Sequence, residues 1–142
     1  MLLVLANLLL AFGIVTCLVA LILGTAAERL GSGIILANLV AYAVNEAVGG
    51  AQLIGLSIDA VTAVALLMVT LRYTSVWLGA VMVLYGAQFA LHAYYFVLEA
   101  PRDLLHTILN NANFFAVVLC LAAGTLSAIR RRKTLRTAAA SH

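Results

Sequence analysis

The sequence has 142 residues, of which 65% are hydrophobic and 9% are charged, with a formal net charge of +3 at pH 7. A soluble domain carries about 25% charged residues, so this composition excludes a water-soluble globule. A helix that crosses the hydrocarbon core needs about 20 apolar residues, and the length therefore accommodates five crossings and no soluble domain. The sequence predicts an all-α, polytopic transmembrane helical bundle.

Five apolar segments follow one another along the chain, each long enough to cross a bilayer as an α-helix. The second segment is the least regular, because Gly31 and Gly33 lie near its start and Asn45 and Glu46 near its end. Four spans with a re-entrant second segment therefore form an alternative topology. The five segments cover about residues 2–27, 30–48, 52–71, 76–98 and 104–129.

The basic residues indicate the orientation, because Lys and Arg are retained in short cytoplasmic loops. In a five-span topology Arg29 and Arg72 fall on the same side as the chain end, and Arg102 falls on the other side. We expect residues 1–129 to form the bundle and residues 130–142 a basic cytoplasmic tail, with the N-terminus external, in a bacterial inner membrane. No aromatic residue lies between the tail cations, so no nucleic-acid partner is predicted. The tail cations are Arg130, Arg131, Arg132, Lys133 and Arg136.

Polar residues recur at helical spacing on four of the five segments, which gives each of these helices one polar face. Polar side chains in hydrocarbon need protein or water partners, so these faces should point inward. At 1.5 Å per residue, most of these side chains fall in the outer half of the bilayer, while the inner half is almost wholly aliphatic. The candidate buried polar cluster consists of Asn38, Tyr42, Glu46, Asp59, Gln88, His92, Asn110 and Asn113.

Asp59 is the most informative member, because a carboxylate at that depth costs about 2.5–3.5 kcal/mol unless it is paired or protonated. His92 lies at a similar depth on the polar face of the next helix and is its expected partner, with Asn110 or Asn113 as alternatives. The pair could fix helix packing or handle a proton or an ion. The first segment has few polar residues and is expected to face lipid or another protein.

The chain has no nucleophile elbow, no glycine-rich phosphate loop and no paired metal-binding histidines on a helix, so no enzymatic activity, cofactor or metal is predicted. The stretch from Asp59 through Arg72, Trp77 and Gln88 to residues 122–125 resembles small uncharacterised bacterial multi-span membrane proteins. The resemblance covers about the last two thirds of the chain and implies no function.

Three functions stay open at this point. The loops leave no soluble surface for recognition, which favours a non-enzymatic membrane subunit that associates through its helices with a larger membrane complex or with copies of itself. Its partners would then be membrane lipids and membrane proteins. The alternative is a transporter or channel component that uses the polar cavity of the outer half. A phage-type holin is a second alternative, since holins are also small, multi-span and basic-tailed.

Overall fold

The computed structural model describes residues 2–101 and 103–140, which form five α-helices and, within those ranges, no β-strand. All five helices are long and apolar enough to cross a membrane, so the prediction of an all-α integral membrane bundle is confirmed. The second helix is continuous over 22 residues, which supports five spans rather than a re-entrant second segment. The helices are α1 Leu2–Leu23, α2 Ala26–Ala47, α3 Gln52–Tyr73, α4 Val76–Val97 and α5 Leu104–Ala140.

The helices pack as a ring in chain order, and α5 returns to contact α1. A further contact between α2 and α5 crosses this ring, so α2 to α5 form a four-helix bundle and α1 lies in the groove between α2 and α5. Small buried residues allow α1 to approach closely: a Cβ atom on Gly13 would lie 2.6 Å from the Phe114 ring, and Cys17 and Ala20 are fully buried. The four helices with polar faces are therefore the four that make the bundle.

The two ends of the bundle differ in charge. The acidic end holds the turns at residues 48–51 and 98–101, with the exposed carboxylates Glu46, Glu99 and Asp103. The basic end holds the turns at residues 24–25 and 74–75, with the exposed cations Arg29 and Arg72 and the C-terminal part of α5. Arg102, which the sequence places among the acidic residues, lies outside the described residues.

The first turn of the basic end lies earlier than expected. We expected the first span to reach residue 27, but α1 ends at Leu23 and Thr25 is the N-cap of α2. The Glu28 side chain accepts the backbone N–H of Thr25 at 2.8 Å, which forms a capping box and places Glu28 in the first turn of α2.

The basic tail is a continuation of α5 rather than a separate segment, because the helix runs from Leu104 to Ala140. Arg132 donates hydrogen bonds to the carbonyls of Leu23 at 3.2 Å and Gly24 at 3.1 Å, and Arg29 donates to Ile22 at 3.3 Å. Guanidinium groups thus satisfy carbonyls that the end of α1 leaves without helical partners.

The half of the bundle near the basic end has a dry core. Leu66, Leu78, Val81 and Leu121 come from three helices and are fully buried. This agrees with the expectation of an aliphatic inner half. The charged departure is Glu28, which is 5% exposed and accepts the indole N–H of Trp77 at 3.1 Å. The hydroxyls of Ser32 and Thr125 are also buried here, and each donates to a backbone carbonyl of its own helix.

Candidate functional site

A cavity of about 250 Å³ lies in the half of the bundle near the acidic end, with walls from all five helices. The first turns of α1 close one side of it with apolar residues, and the polar faces of α2 to α5 close the others. Six of the eight residues of the predicted cluster line this cavity, namely Asn38, Tyr42, Asp59, Gln88, Asn110 and Asn113.

Asp59 is the most buried polar member of the site, with 1% of its surface exposed. Its Oδ2 atom accepts a hydrogen bond from the Tyr42 hydroxyl at 2.8 Å and contacts Nδ1 of His92 directly. The predicted pairing of Asp59 with His92 is therefore confirmed. The Tyr42 hydroxyl also lies 3.0 Å from Nδ1 of His92 and 3.1 Å from the Gly55 carbonyl oxygen, so α2, α3 and α4 meet at this carboxylate.

Gln88 determines which ring nitrogen of His92 carries the proton. The Gln88 side chain accepts from Asn113 Nδ2 at 2.9 Å through its oxygen, and its nitrogen donates to Asn110 and lies 3.2 Å from Nε2 of His92. An amide nitrogen has no lone pair to offer, so with the Gln88 nitrogen on this side Nε2 of His92 is the acceptor and Nδ1 carries the hydrogen. In this network His92 is neutral and donates to Asp59.

This protonation state makes Asp59 an anion without a cationic partner. The other polar side chains that line the cavity are amides and tyrosine hydroxyls, which carry no charge. Asp59 is therefore the one formally charged group among the described residues of the cavity wall.

A second hydrogen-bonded pair lies one turn deeper, toward the dry core. Asn38 of α2 donates to the Thr62 hydroxyl of α3 at 3.0 Å, and that hydroxyl donates to the carbonyl of Ile58 at 2.8 Å. Both side chains are buried, so the pair joins α2 to α3 below the carboxylate and keeps an amide in the cavity wall.

Glu46 is a correction to the predicted cluster. Its side chain is exposed in the last turn of α2 and does not line the cavity. The helix ends at Ala47, and the chain turns through Gly49 and Gly50, both with positive φ. Helical spacing places Glu46 on the polar face of α2. Because the residue lies in the last turn of the helix, its carboxylate reaches the surface beside Gly50 instead of entering the bundle.

His92 is the other predicted residue, besides Glu46, that does not line the cavity. It connects the cavity to a layer of side chains nearer the acidic end. Its ring stacks on the buried His106 ring with centroids 5.3 Å apart, and His106 meets Tyr95 edge to face at 4.7 Å. Tyr95 donates its hydroxyl to Asp103 at 2.8 Å.

Asp103 closes this layer as the residue before the first turn of α5. Its carboxylate accepts the backbone N–H of His106 at 2.8 Å, in the manner of an N-cap. This backbone hydrogen bond, together with the Tyr95 hydroxyl, lowers the pKa of Asp103 below its ordinary value of 3.8. The start of α5 is thereby anchored to α4.

Sequence reasoning did not identify the apolar wall of the cavity. Leu9 and Leu10 of α1, with Leu39 and Phe114, supply this wall, and Tyr85 closes its deep side. An aliphatic residue that faces a cavity has the same local sequence pattern as one that faces lipid, so no signal in the sequence could have separated them.

Buried apolar side chains lie between the cavity and the basic end. Val117 lines the cavity, and the buried Val81 and Leu121 separate it from the basic end. Among residues 2–101 and 103–140, no three His, Cys, Asp or Glu side chains converge as a metal site requires. Comparison with protein-family models, with curated proteins and with solved structures finds no match for this chain.

Proposed function

We propose that the protein is a non-enzymatic component of a membrane transporter that binds a small polar solute in the cavity. The observation that carries this proposal is the convergence of eight polar side chains from four helices on a space of about 250 Å³. Pockets for drug-sized ligands occupy about 300–1,000 Å³, so the volume suits a smaller solute. Of the functions left open by the sequence, the geometry supports this alternative best.

The dry core argues for binding rather than conduction by the chain alone. A polar solute that moved past Leu66, Val81 and Leu121 would lose its hydrogen bonds in an apolar layer, which costs several kcal/mol for each unsatisfied polar group. Release on the other side therefore requires a partner subunit or a second conformation, which is why we describe the chain as a component.

The charge asymmetry supports an orientation for this binding site. With the basic end in the cytoplasm, as the positive-inside rule requires, the cavity lies in the outer half of a bacterial inner membrane and the N-terminus is external. Reporter fusions at both chain ends test this orientation. We expect a cytoplasmic signal at the C-terminus and an external signal at the N-terminus, and two cytoplasmic signals would contradict the topology.

A cavity-filling substitution tests whether the cavity binds solutes. Ala6 lines the cavity from α1, whereas Ala90 is exposed on α4, so Ala6→Phe and Ala90→Phe form a matched pair. Thermal unfolding in mild detergent is measured with four-carbon solutes that carry a hydroxyl, an amide, an ammonium or a carboxylate head. A solute that binds the folded state raises the melting temperature by mass action.

We expect at least one of these solutes to stabilise the wild type and Ala90→Phe but not Ala6→Phe. Stabilisation of all three proteins to the same extent would place the binding outside the cavity. The absence of any stabilising solute would contradict the proposed function.

The membrane-subunit hypothesis is the second candidate, and the exposed face of α1 favours it. Apolar residues on this face alternate at spacings of four and three, the pattern of a helix that packs along a heptad seam. All are exposed to the outside of the bundle, so we propose α1 of a second copy as the partner. The face consists of Val4, Leu8, Ala11, Val15, Leu18 and Ile22.

Single-cysteine crosslinking separates this contact from contact with lipid. Val15→Cys and Val61→Cys both introduce an exposed thiol near the middle of a span, in a background with Cys17→Ala and Cys120→Ala. We expect Val15→Cys to give crosslinked dimers in membranes and Val61→Cys not to do so. Equal yields at the two positions would indicate random collision.

A further inference from the structure

We infer that the solute is a small organic cation, a primary ammonium group on a short apolar chain. This inference rests on the proposed function, because it assigns the substrate class of the same cavity. Its starting point is the anionic Asp59 carboxylate, which lies in the cavity wall beside a histidine that the Gln88 amide keeps neutral.

The carboxylate has one oxygen available for a ligand. Both hydrogen bonds that reach Asp59 from described side chains end on Oδ2, one from Tyr42 and one from His92. A carboxylate offers about four acceptor positions on its two oxygens, so Oδ1 can accept from a group in the cavity. An ammonium group would supply both this hydrogen bond and the positive charge that the wall lacks.

Aromatic rings and amide oxygens also line the cavity, and both kinds of group can contact a cation favourably. Tyr42, Tyr85 and Phe114 line the same cavity, and the faces of such rings attract cations within about 6 Å of the ring centroid. Asn110 and Asn113 place amide groups on the facing helix, where their oxygens can accept further ammonium hydrogens.

Solutes of the other charge classes fit this wall less well. An anion would lie beside a buried carboxylate with no described lysine or arginine in the cavity wall. A neutral solute would leave the carboxylate, which is 1% exposed, without an opposite charge. The apolar residues Leu9, Leu10 and Leu39 then accommodate a short alkyl chain.

Three four-carbon solutes of similar size isolate the effect of charge. Butylammonium, 1-butanol and butyrate are titrated against the full-length protein in mild detergent at matched ionic strength, and binding is followed by melting temperature and by calorimetry. We expect butylammonium to bind most tightly. Asp59→Asn should weaken its binding about tenfold or more, since a hydrogen bond to a charged group is lost. Glu46→Gln removes an exposed carboxylate at the same end of the bundle and should leave binding unchanged.

A second measurement keeps the carboxylate in place, in case Asp59→Asn does not fold. Asn111 lines the cavity, so Asn111→Cys in the background without Cys17 and Cys120 reports on its occupancy through the rate of maleimide labelling. We expect butylammonium to slow this labelling, and 1-butanol and butyrate to leave it unchanged.

The outcomes separate this inference from the proposed function. Preferential binding of 1-butanol or butyrate would overturn the cation assignment and leave solute binding intact. Butylammonium binding that Asp59→Asn does not weaken, or labelling that all three solutes slow equally, would also overturn it. If no solute of any class binds, both the proposed function and this inference are wrong.

Discussion

The indole of Trp77 makes the packing of the basic end unusually sensitive to one added methyl group. A Cβ atom on Gly124 of α5 would lie 2.6 Å from Cγ and Cδ2 of this indole, and a Cβ atom on Gly31 of α2 would lie 2.9 Å from its Cη2. Contacts below 3.0 Å force something to move. The indole lies between two glycines and donates its N–H to Glu28 at 3.1 Å, so it cannot move away from one side without meeting the other.

We therefore expect Gly124→Ala to destabilise the protein. Overpacking of a filled site costs about 1–3 kcal/mol. Replacing glycine by alanine inside a helix returns up to about 1 kcal/mol through helix propensity. The net loss should then be about 1–2 kcal/mol, seen as a lower melting temperature in mild detergent. Gly86→Ala on α4 is the matched control, because an added Cβ there meets nothing within 4 Å and should leave stability unchanged or slightly higher.

A second substitution tests whether the indole is the cause. Trp77→Leu removes the rings that Gly124→Ala would meet, so the double variant should lose less stability than the sum of the two single variants. Additive losses, or a wild-type melting temperature for Gly124→Ala, would refute the reasoning. A loss in Gly86→Ala as large as that in Gly124→Ala would refute it as well.

Three further expectations concern the ends and the centre of the bundle. Asp59→Asn and His92→Gln should show a coupling of about 0.5–3 kcal/mol in a double-mutant cycle on thermal stability, whereas additivity would mean that their contact contributes nothing. Asp103→Ala should lower the melting temperature at neutral pH. The difference from wild type should disappear as the pH falls through the lowered pKa of Asp103, below 3.8, because only the ionised carboxylate makes this contribution. A difference that does not depend on pH would contradict this expectation. Arg132→Gln should cost about 0.3–1 kcal/mol through its hydrogen bonds to the end of α1, while the exposed Arg131→Gln should be neutral, and equal losses would show a general charge effect.

The resemblance to small bacterial multi-span proteins and the holin alternative stay predictions, because neither the structure nor the comparisons test them. The holin hypothesis depends on size and charge, which many membrane proteins share. The cavity hypothesis differs in this respect, because it depends on the positions of particular side chains.

The sequence by itself determined the five helices and the polar pair at the centre of the site. Backbone groups in hydrocarbon must find their hydrogen bonds within the segment, so the lengths of the apolar runs left no alternative to helices for most of the chain. Helical spacing and depth also predicted that Asp59 lies opposite His92, because both residues lie on polar faces at a similar distance from the acidic end.

Only the tertiary structure decided how these faces combine into a site. Spacing gives the polar face of a helix but not the neighbouring helix that this face contacts. The contact of Tyr42 with Asp59, as its second partner beside His92, and the cavity wall from α1 were therefore decided by packing. Glu46 shares the face of α2 but ends at the surface, since the helix stops one residue later. The predicted spans 2–27 and 30–48 leave Glu28 between two helices. In the structure it is a buried acceptor, because Gly31 and Gly124 leave room for the Trp77 indole beside it.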